Sequence, residues 1–234
     1  AGAGVMTDRG EPGPVMAARG AAGRDENVPD GASPPDTDDL SRPAASDWPS
    51  VRRWRKEMRA TLIARRLAVP RAERPGRDAL IAMRLEQVLE SRAMRRVGIF
   101  WPFKGEFDPR MLARRLHARG IRLALPVVVA KATPLVFRPW APGARLVPGV
   151  WEIPVPAEGE PVTPDVVLSP VVGFDAGRYR LGYGGGYYDR TLAAMAPRPF
   201  VIGVGFALSR LASIHPQPHD IPMDLIVTEE GTGP

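Results

Sequence analysis

Residues 180–190 read RLGYGGGYYDR, with four glycines in the five positions 182–186, then two tyrosines, an aspartate and an arginine. Glycines at this density let a backbone turn through positive φ and approach a ligand with no Cβ in the way. The preceding residues read as a strand and the following ones as a helix. Backbone N–H groups and a helix N-terminus therefore converge here, and such a spot favours an anion, a phosphate above all. Neither familiar phosphate motif fits. Gly186 is followed by Tyr187 rather than the Lys-Ser/Thr of a Walker loop, and Tyr187 or Asp189 falls where a dinucleotide fingerprint needs its last glycine. The alternative is a tight connection whose glycines serve sterics alone. Asp189 likewise has two readings, a cap on the helix dipole or a ligand for Mg²⁺ beside a phosphate.

The elements that must position this loop can be read from periodicity and punctuation. Pro49 and Ser50 open a helix over 48–69, with Val51, Trp54, Met58, Leu62 and the Leu67 region at helical spacing. A second helix is expected over about 76–93 with Leu80, Met83, Leu85 and Leu89 inward. Residues 96–103 read as a buried strand, 108–120 as a helix capped by Asp108, and 121–129 and 134–140 as strands. The stretch 141–164 is rich in proline and glycine with short extended pieces. Residues 165–175 form a strand broken at Pro170, 187–196 a helix, and 199–207 and 223–229 strands. Strands alternating with helices give an α/β fold, expected as a three-layer sandwich. Its largely parallel (mixed) central sheet is flanked by helices, with a ligand crevice at the strand ends.

Composition sets the outer bounds. The 234 residues suffice for one domain with a real core. Cysteine is absent, which removes disulfides, thiolate metal sites and a cysteine nucleophile. No apolar run approaches the roughly 18 residues of a membrane span, and no secretory signal is visible, so a cytosolic location is expected. Residues 1–47 hold seven glycines, six prolines and no aromatic residue, so they are expected to be disordered, with residues 48–234 as a single domain. Residues 1–49 carry nine acidic and four basic side chains, and the remainder 28 basic and 17 acidic. That basic part suits an anionic partner, or else is a solvated arginine-rich surface. A nucleic-acid binder would need exposed aromatics within a basic patch. Here the tyrosines sit in a glycine loop beside an acid, so no nucleic acid and no membrane is expected as partner.

With these residues in view, RLGYGGGYYDRTL closely resembles the signature of the 5-formyltetrahydrofolate cyclo-ligase (5,10-methenyltetrahydrofolate synthetase) family. The resemblance extends to SPVVGFDAGRYRLGYGGGYYDR (169–190), HDIPMDLIVTE (219–229), FWPFKGEFD (100–108) and RKEMRATLIARR (55–66), covering roughly residues 50–230. It implies a monomeric enzyme using ATP and Mg²⁺ to close 5-formyltetrahydrofolate, mono- or polyglutamylated, to 5,10-methenyltetrahydrofolate with release of ADP and phosphate. An N-formyl oxygen is a very poor leaving group, and phosphorylation converts it to a good one. The protein then has only to align groups and neutralise charge.

By the same resemblance, Arg180, Leu181, Gly182, Tyr183, Gly184, Gly185, Gly186, Tyr187 and Tyr188 form the ATP-phosphate cradle, and Tyr183 to Tyr187 also lie against the folate. Arg180, Tyr187 and Asp189 are the catalytic candidates, and Asp189 and Asp224 the magnesium carboxylates. Glu106 is the substrate-facing glutamate, with Trp101 beside it. Arg55, Lys56 and Arg59 form the basic patch toward ATP, although Arg55 stands where the family usually has Lys. The residues alone leave bland readings open: a strand-start aspartate for Asp224, a solvated loop glutamate for Glu106, core packing for Trp101. A relative that keeps the ATP site but takes another substrate is a further alternative. His219 and Asp220 are expected to form a structural turn.

Overall fold

The structure, a computed structural model, describes residues 47–92 and 94–233. The segment 1–47 expected to be disordered lies, apart from Asp47, outside the described residues. Two helices come first, α1 (Trp48–Ala68) and α2 (Arg74–Glu90). They are followed by β1 (Arg96–Gly98), α3 (Arg110–Ala118), β2 (Arg122–Val127) and β3 (Val136–Trp140). A hairpin of β4 (Leu146–Pro148) and β5 (Pro154–Pro156) precedes β6 (Val166–Pro170). A second hairpin, β7 (Gly173–Phe174) with β8 (Arg180–Leu181), leads through the glycine loop into α4 (Tyr187–Ala194). The chain ends with β9 (Phe200–Val204), β10 (Leu225–Val227) and β11 (Thr232–Gly233).

Local chemistry sets the helix ends. Pro49 lies in the first turn of α1, where a missing N–H costs nothing. The helix stops at Ala68 because Pro70 follows Val69, which takes an extended ψ of 123°. Pro75 opens α2 in the same way. The expected Asp108 cap acts one position further out, accepting the Arg110 N–H at 3.0 Å while α3 begins at Arg110.

The main sheet has seven strands in the order β11-β10-β9-β6-β1-β2-β3. The five inner strands are parallel, and β3 and β11 are antiparallel at the edges. Side chains alternate between its faces. Val97, Ile99, Leu123, Leu125, Val166, Leu168, Ile202 and Val204 pack against Ile81, Leu85 and Leu89 of α2 and Leu112 and Leu116 of α3. The alternate positions Ala124, Val167 and Val201 join Phe137, Met223, Ile226 and Leu192 of α4. This is the mixed, mostly parallel α/β sandwich that the alternating pattern implied. Helix α1 sits instead on the second hairpin, with Trp54, Met58 and Leu62 against Val172, Leu181, Leu211 and Ile214.

Two expectations about the helices are corrected. Leu80 and Met83 are exposed by 43% and 44%, and Ile81 and Ala82 are buried beside Leu85 and Leu89. Residues 79–83 are apolar all round, so periodicity did not fix the phase of the stripe. In α1, Leu67 is 55% exposed, and the neighbouring Arg66 is buried instead. Several strands are also shorter than read, notably β1, which leaves the ladder at Gly98 while residues 99–103 run on as irregular chain.

Strand order decides where a ligand can enter. From β1 the chain moves outward to β2 and β3, then returns to the other side of β1 as β6 and continues through β9 to β10. The connections diverge between β1 and β6, opening a crevice beyond their C-terminal ends. The α2 phase is testable. Ile81→Ala is expected to lower stability by about 2–5 kcal/mol, whereas Leu80→Ala stays within about 0.5 kcal/mol, both measured by urea unfolding.

Candidate active site

A cavity of about 770 Å³ occupies that crevice. Its walls come from α1, the segment 100–106 after β1, the end of β6, the β4–β5 hairpin, the glycine loop with the start of α4, and the 219–220 turn. Arg55, Lys56, Arg59, Trp101, Glu106, Arg180, Leu181, Gly182, Tyr183, Gly184, Gly185, Gly186, Tyr187, Tyr188 and Asp189 all line it. Asp224 does not.

The loop needs its glycines at two positions above all. Gly184 has φ +94° and Gly186, the residue capping α4, has φ +62°, conformations that L side chains rarely adopt. Gly182 is different, because a Cβ built there meets nothing within 4 Å and would project into open space. Two arginines hold the loop's carbonyls. Arg59 Nε donates to Gly182 O at 2.7 Å, and Arg190 donates to Gly185 O.

Arg180 is the buried cation beneath the loop. Burial pulls its pKa down, and the Asp189 carboxylate, 3.0 Å from Nη2, opposes that shift. Asp189 Oδ1 also accepts the Ile221 N–H at 3.1 Å, while Oδ2 takes no hydrogen bond among the described residues. Tyr188 lies under the Arg180 guanidinium at 5.4 Å, and its buried hydroxyl has no hydrogen-bond partner among the described residues.

Arg55 differs from its expected role as a free phosphate contact. Its guanidinium donates to Ile214 O, to His215 O and to both Asp220 oxygens, the shortest of these bonds being 2.6 Å. The pair is buried, so this arginine fixes α1 to the 214–220 loop, and its charge is already matched. Burial raises the Asp220 pKa, but the hydrogen bonds from Arg55 and the Gln217 N–H outweigh it and hold the carboxyl below the usual range. Lys56 and Arg52 also line the cavity, both exposed and without an ion pair among the described residues. Arg52 was missed although it falls on the same helical stripe as Arg55, Lys56 and Arg59. Arg59 is half-buried, and burial and the nearby Arg55 lower its pKa.

The opposite end of the cavity is aromatic and acidic. Trp101 stands edge-on to Trp140 at 6.0 Å, with Arg110 over its ring at 5.6 Å. Glu106 is 8% exposed, and burial pushes its pKa up to about 7 against the Arg66 charge, the Tyr183 hydroxyl and the Phe103 N–H. Sequence reasoning missed Trp151 in the β4–β5 turn. It is 59% exposed with φ +58°, and stands edge-on to Tyr187 at 5.9 Å. The available signal was a lone tryptophan in a proline-rich stretch with no apolar periodicity to bury it.

The expected pair of magnesium carboxylates is not brought together at the cavity. Asp224 bonds Arg198 Nη1 at 2.8 and 3.0 Å and accepts the Val201 N–H at 2.7 Å, tying the chain before β10 to the start of β9. Among the described residues no group of three or more His, Cys, Asp or Glu side chains is placed to hold a metal. Mg²⁺ asks for less than that, since one carboxylate suffices when phosphate oxygens and water supply the rest. Asp189 Oδ2, beside the glycine loop, fits that description.

A glycine-lined crevice at the switch point of a mostly parallel α/β sheet is where ligands of such folds bind. A sequence profile of the 5-formyltetrahydrofolate cyclo-ligase family matches residues 51–229, and the chain belongs to that family. It is similar to the 5-formyltetrahydrofolate cyclo-ligase of Mycolicibacterium smegmatis, 33% identical over 187 residues, covering 75% of this chain and 94% of that protein. The Escherichia coli protein of the same name is 33% identical over 139 residues, covering 56% of this chain and 76% of its own length. The solution structure of Aquifex aeolicus 5,10-methenyltetrahydrofolate synthetase superposes with a TM-score of 0.68 at 28% identity, covering 76% of this chain and 91% of that one. A Mycoplasma pneumoniae 5,10-methenyltetrahydrofolate synthetase shares the fold, with a TM-score of 0.63 at 24% identity, covering 75% and 98%.

Removing one partner of the Arg55–Asp220 pair leaves the other charge buried and unmatched. Asp220→Asn is expected to cost about 3–5 kcal/mol near pH 7. Because the folded carboxyl has the lower pKa, its contribution is present above the ordinary carboxylate value and lost as pH falls through the folded one. The gap in Tm between the variant and the parent protein therefore narrows below about pH 4.

Proposed function

We propose that this chain catalyses the ATP- and Mg²⁺-dependent cyclisation of 5-formyltetrahydrofolate to 5,10-methenyltetrahydrofolate, releasing ADP and phosphate. The observation that carries the reading is the single cavity that joins the glycine loop and its cations to Trp101 and Glu106, in a chain of this family. Bound Mg²⁺-ATP supplies a phosphoryl group for the formyl oxygen, so that this oxygen leaves as phosphate when N10 closes the ring.

The chain's own residues align and neutralise. Gly182 to Gly186 let the phosphates reach the backbone, and Arg180 lies below to offset their charge. Lys56, Arg59 and Arg52 add positive charge from α1. Asp189 would hold the metal, since Oδ1 is engaged by Arg180 and the Ile221 N–H and Oδ2 accepts no hydrogen bond among the described residues. Tyr187, with Trp151 on its edge, lies between the phosphate and folate ends. Glu106 accepts paired N–H groups from the pterin ring, and a ring lacking them leaves a buried carboxylate unmatched. Trp101 offers its face to the ring. Asp224 has no part in this account. The substrate is a small molecule, and the protein works as a monomer away from membranes. Among the described residues no helix is long and apolar enough to cross a bilayer.

The decisive experiment is the methenyl absorbance formed from 5-formyltetrahydrofolate with and without Mg²⁺-ATP. Product is expected only with both present, and no product under any nucleotide condition would refute the assignment. Gly182→Ala separates the ligand's need from the fold's, because its side chain meets no protein atom. Its Tm is expected to stay at the parent value while KM for ATP rises about tenfold, a loss of about 1.4 kcal/mol. An unchanged KM would remove the close approach of phosphate to this backbone.

A further inference from the structure

The helix α1 carries a buried arginine that the reading above does not use. Arg66 is only 2% exposed, and its donors are fixed on three groups. Nε goes to Lys104 O at 3.0 Å, Nη1 to Val171 O at 3.3 Å, and Nη2 to the Tyr183 hydroxyl at 2.7 Å. That hydroxyl donates in turn to Glu106 Oε1 at 2.8 Å, with Phe103 O a poorer acceptor at 3.4 Å. Glu106 Oε2 accepts the Phe103 N–H at 3.0 Å. Tyr183 is 41% exposed and lines the cavity, yet its hydroxyl is held by Arg66 and Glu106, with the ring edge-on to Phe103 at 5.6 Å.

A phenol has one proton to give. With Arg66 donating to its oxygen, that proton is left for the carboxylate. Each Glu106 oxygen then has one lone pair bound by protein and one still available toward the cavity. We propose that Tyr183, held by Arg66, is a positioning residue that aims the Glu106 carboxylate to receive the substrate's paired N–H groups. This rests on the proposed function for its use, but not for its existence.

The charges facing Glu106 support it. Arg66 of α1 is the cation that opposes burial of the carboxylate. Lys104, on the same segment, is exposed, and Arg74 of α2 is engaged on Gly105 O at 3.0 Å. Tyr188 of α4 is neutral, its hydroxyl pushed up first by burial and then by Glu106. Arg66 and the Tyr183 hydroxyl are thus what favour the charged form against burial, with the Phe103 N–H adding to them. Deleting the hydroxyl moves the Glu106 midpoint upward from about 7.

The test is Tyr183→Phe, which keeps the ring. Two readouts are taken: the Glu106 side-chain carboxyl titration in the free protein by ¹³C NMR, and the pH dependence of 5-formyltetrahydrofolate affinity by quenching of tryptophan fluorescence. The midpoint is expected to rise by about one pH unit, the worth of a hydrogen bond to a charged group. Affinity at pH 7 should fall, recover at alkaline pH, and appear in KM rather than kcat. In a Glu106→Gln background the same change should leave the pH profile where it was. An unmoved carboxyl midpoint overturns the proposal whatever the enzyme does. So does an affinity loss of equal size at every pH. If the parent protein makes no methenyl product while the midpoint still shifts, the relay stands and the assigned substrate falls.

Discussion

The glycine loop keeps its shape because its two ends are tied together. Arg180, on β8 before the loop, meets Asp189, in the first turn of α4 after it, at 3.0 Å. The four glycines between them carry no side chains, so closing the loop costs conformational entropy that Tyr183, Arg59 and Arg190 help to offset. A buried arginine is unfavourable without an anion, and here the Asp189 carboxylate supplies one.

The arginines of α1 show how one residue type serves different ends according to depth. Arg55 is matched inside the protein by Asp220 and two carbonyls, so its work is architectural. Arg59, half-buried beside Gly184, lines the cavity and has no acid paired with it among the described residues. Arg66 is fully enclosed and is held on the Tyr183 hydroxyl and on the Lys104 and Val171 carbonyls. A basic stripe therefore does not translate into a row of equivalent phosphate contacts. Burial and neighbouring acids decide which cations remain available to a ligand.

Much of this was legible in the sequence because it rests on short-range rules. Strand–helix alternation gave the sandwich, Pro49 and Ser50 marked the start of α1, and the glycine density located the crevice loop. Glu106 and Trp101 were picked out by resemblance, and they do line the same cavity. What was not legible depends on partners far along the chain. Asp224 reads as a strand-start acid near Asp189, yet Arg198, 26 residues away, takes its carboxylate. Arg55 meets Asp220 across 165 residues, and no local pattern announces that. Trp151 lies in a turn with positive φ, a geometry that propensity disfavours for a tryptophan. Leu80 and Met83 were misassigned because an all-apolar stretch leaves the helix phase open.

The central proposal is that the backbone of 182–186, with Arg180 beneath it, holds the nucleotide's phosphates, and that Asp189 rather than Asp224 holds the metal. A crystal structure with Mg²⁺ and a non-hydrolysable ATP analogue tests it directly. The account requires terminal phosphate oxygens on the amides of this loop and the ion on Asp189 Oδ2, with Asp224 still on Arg198. Phosphates seated elsewhere in the cavity, or an ion bound without Asp189, would contradict it.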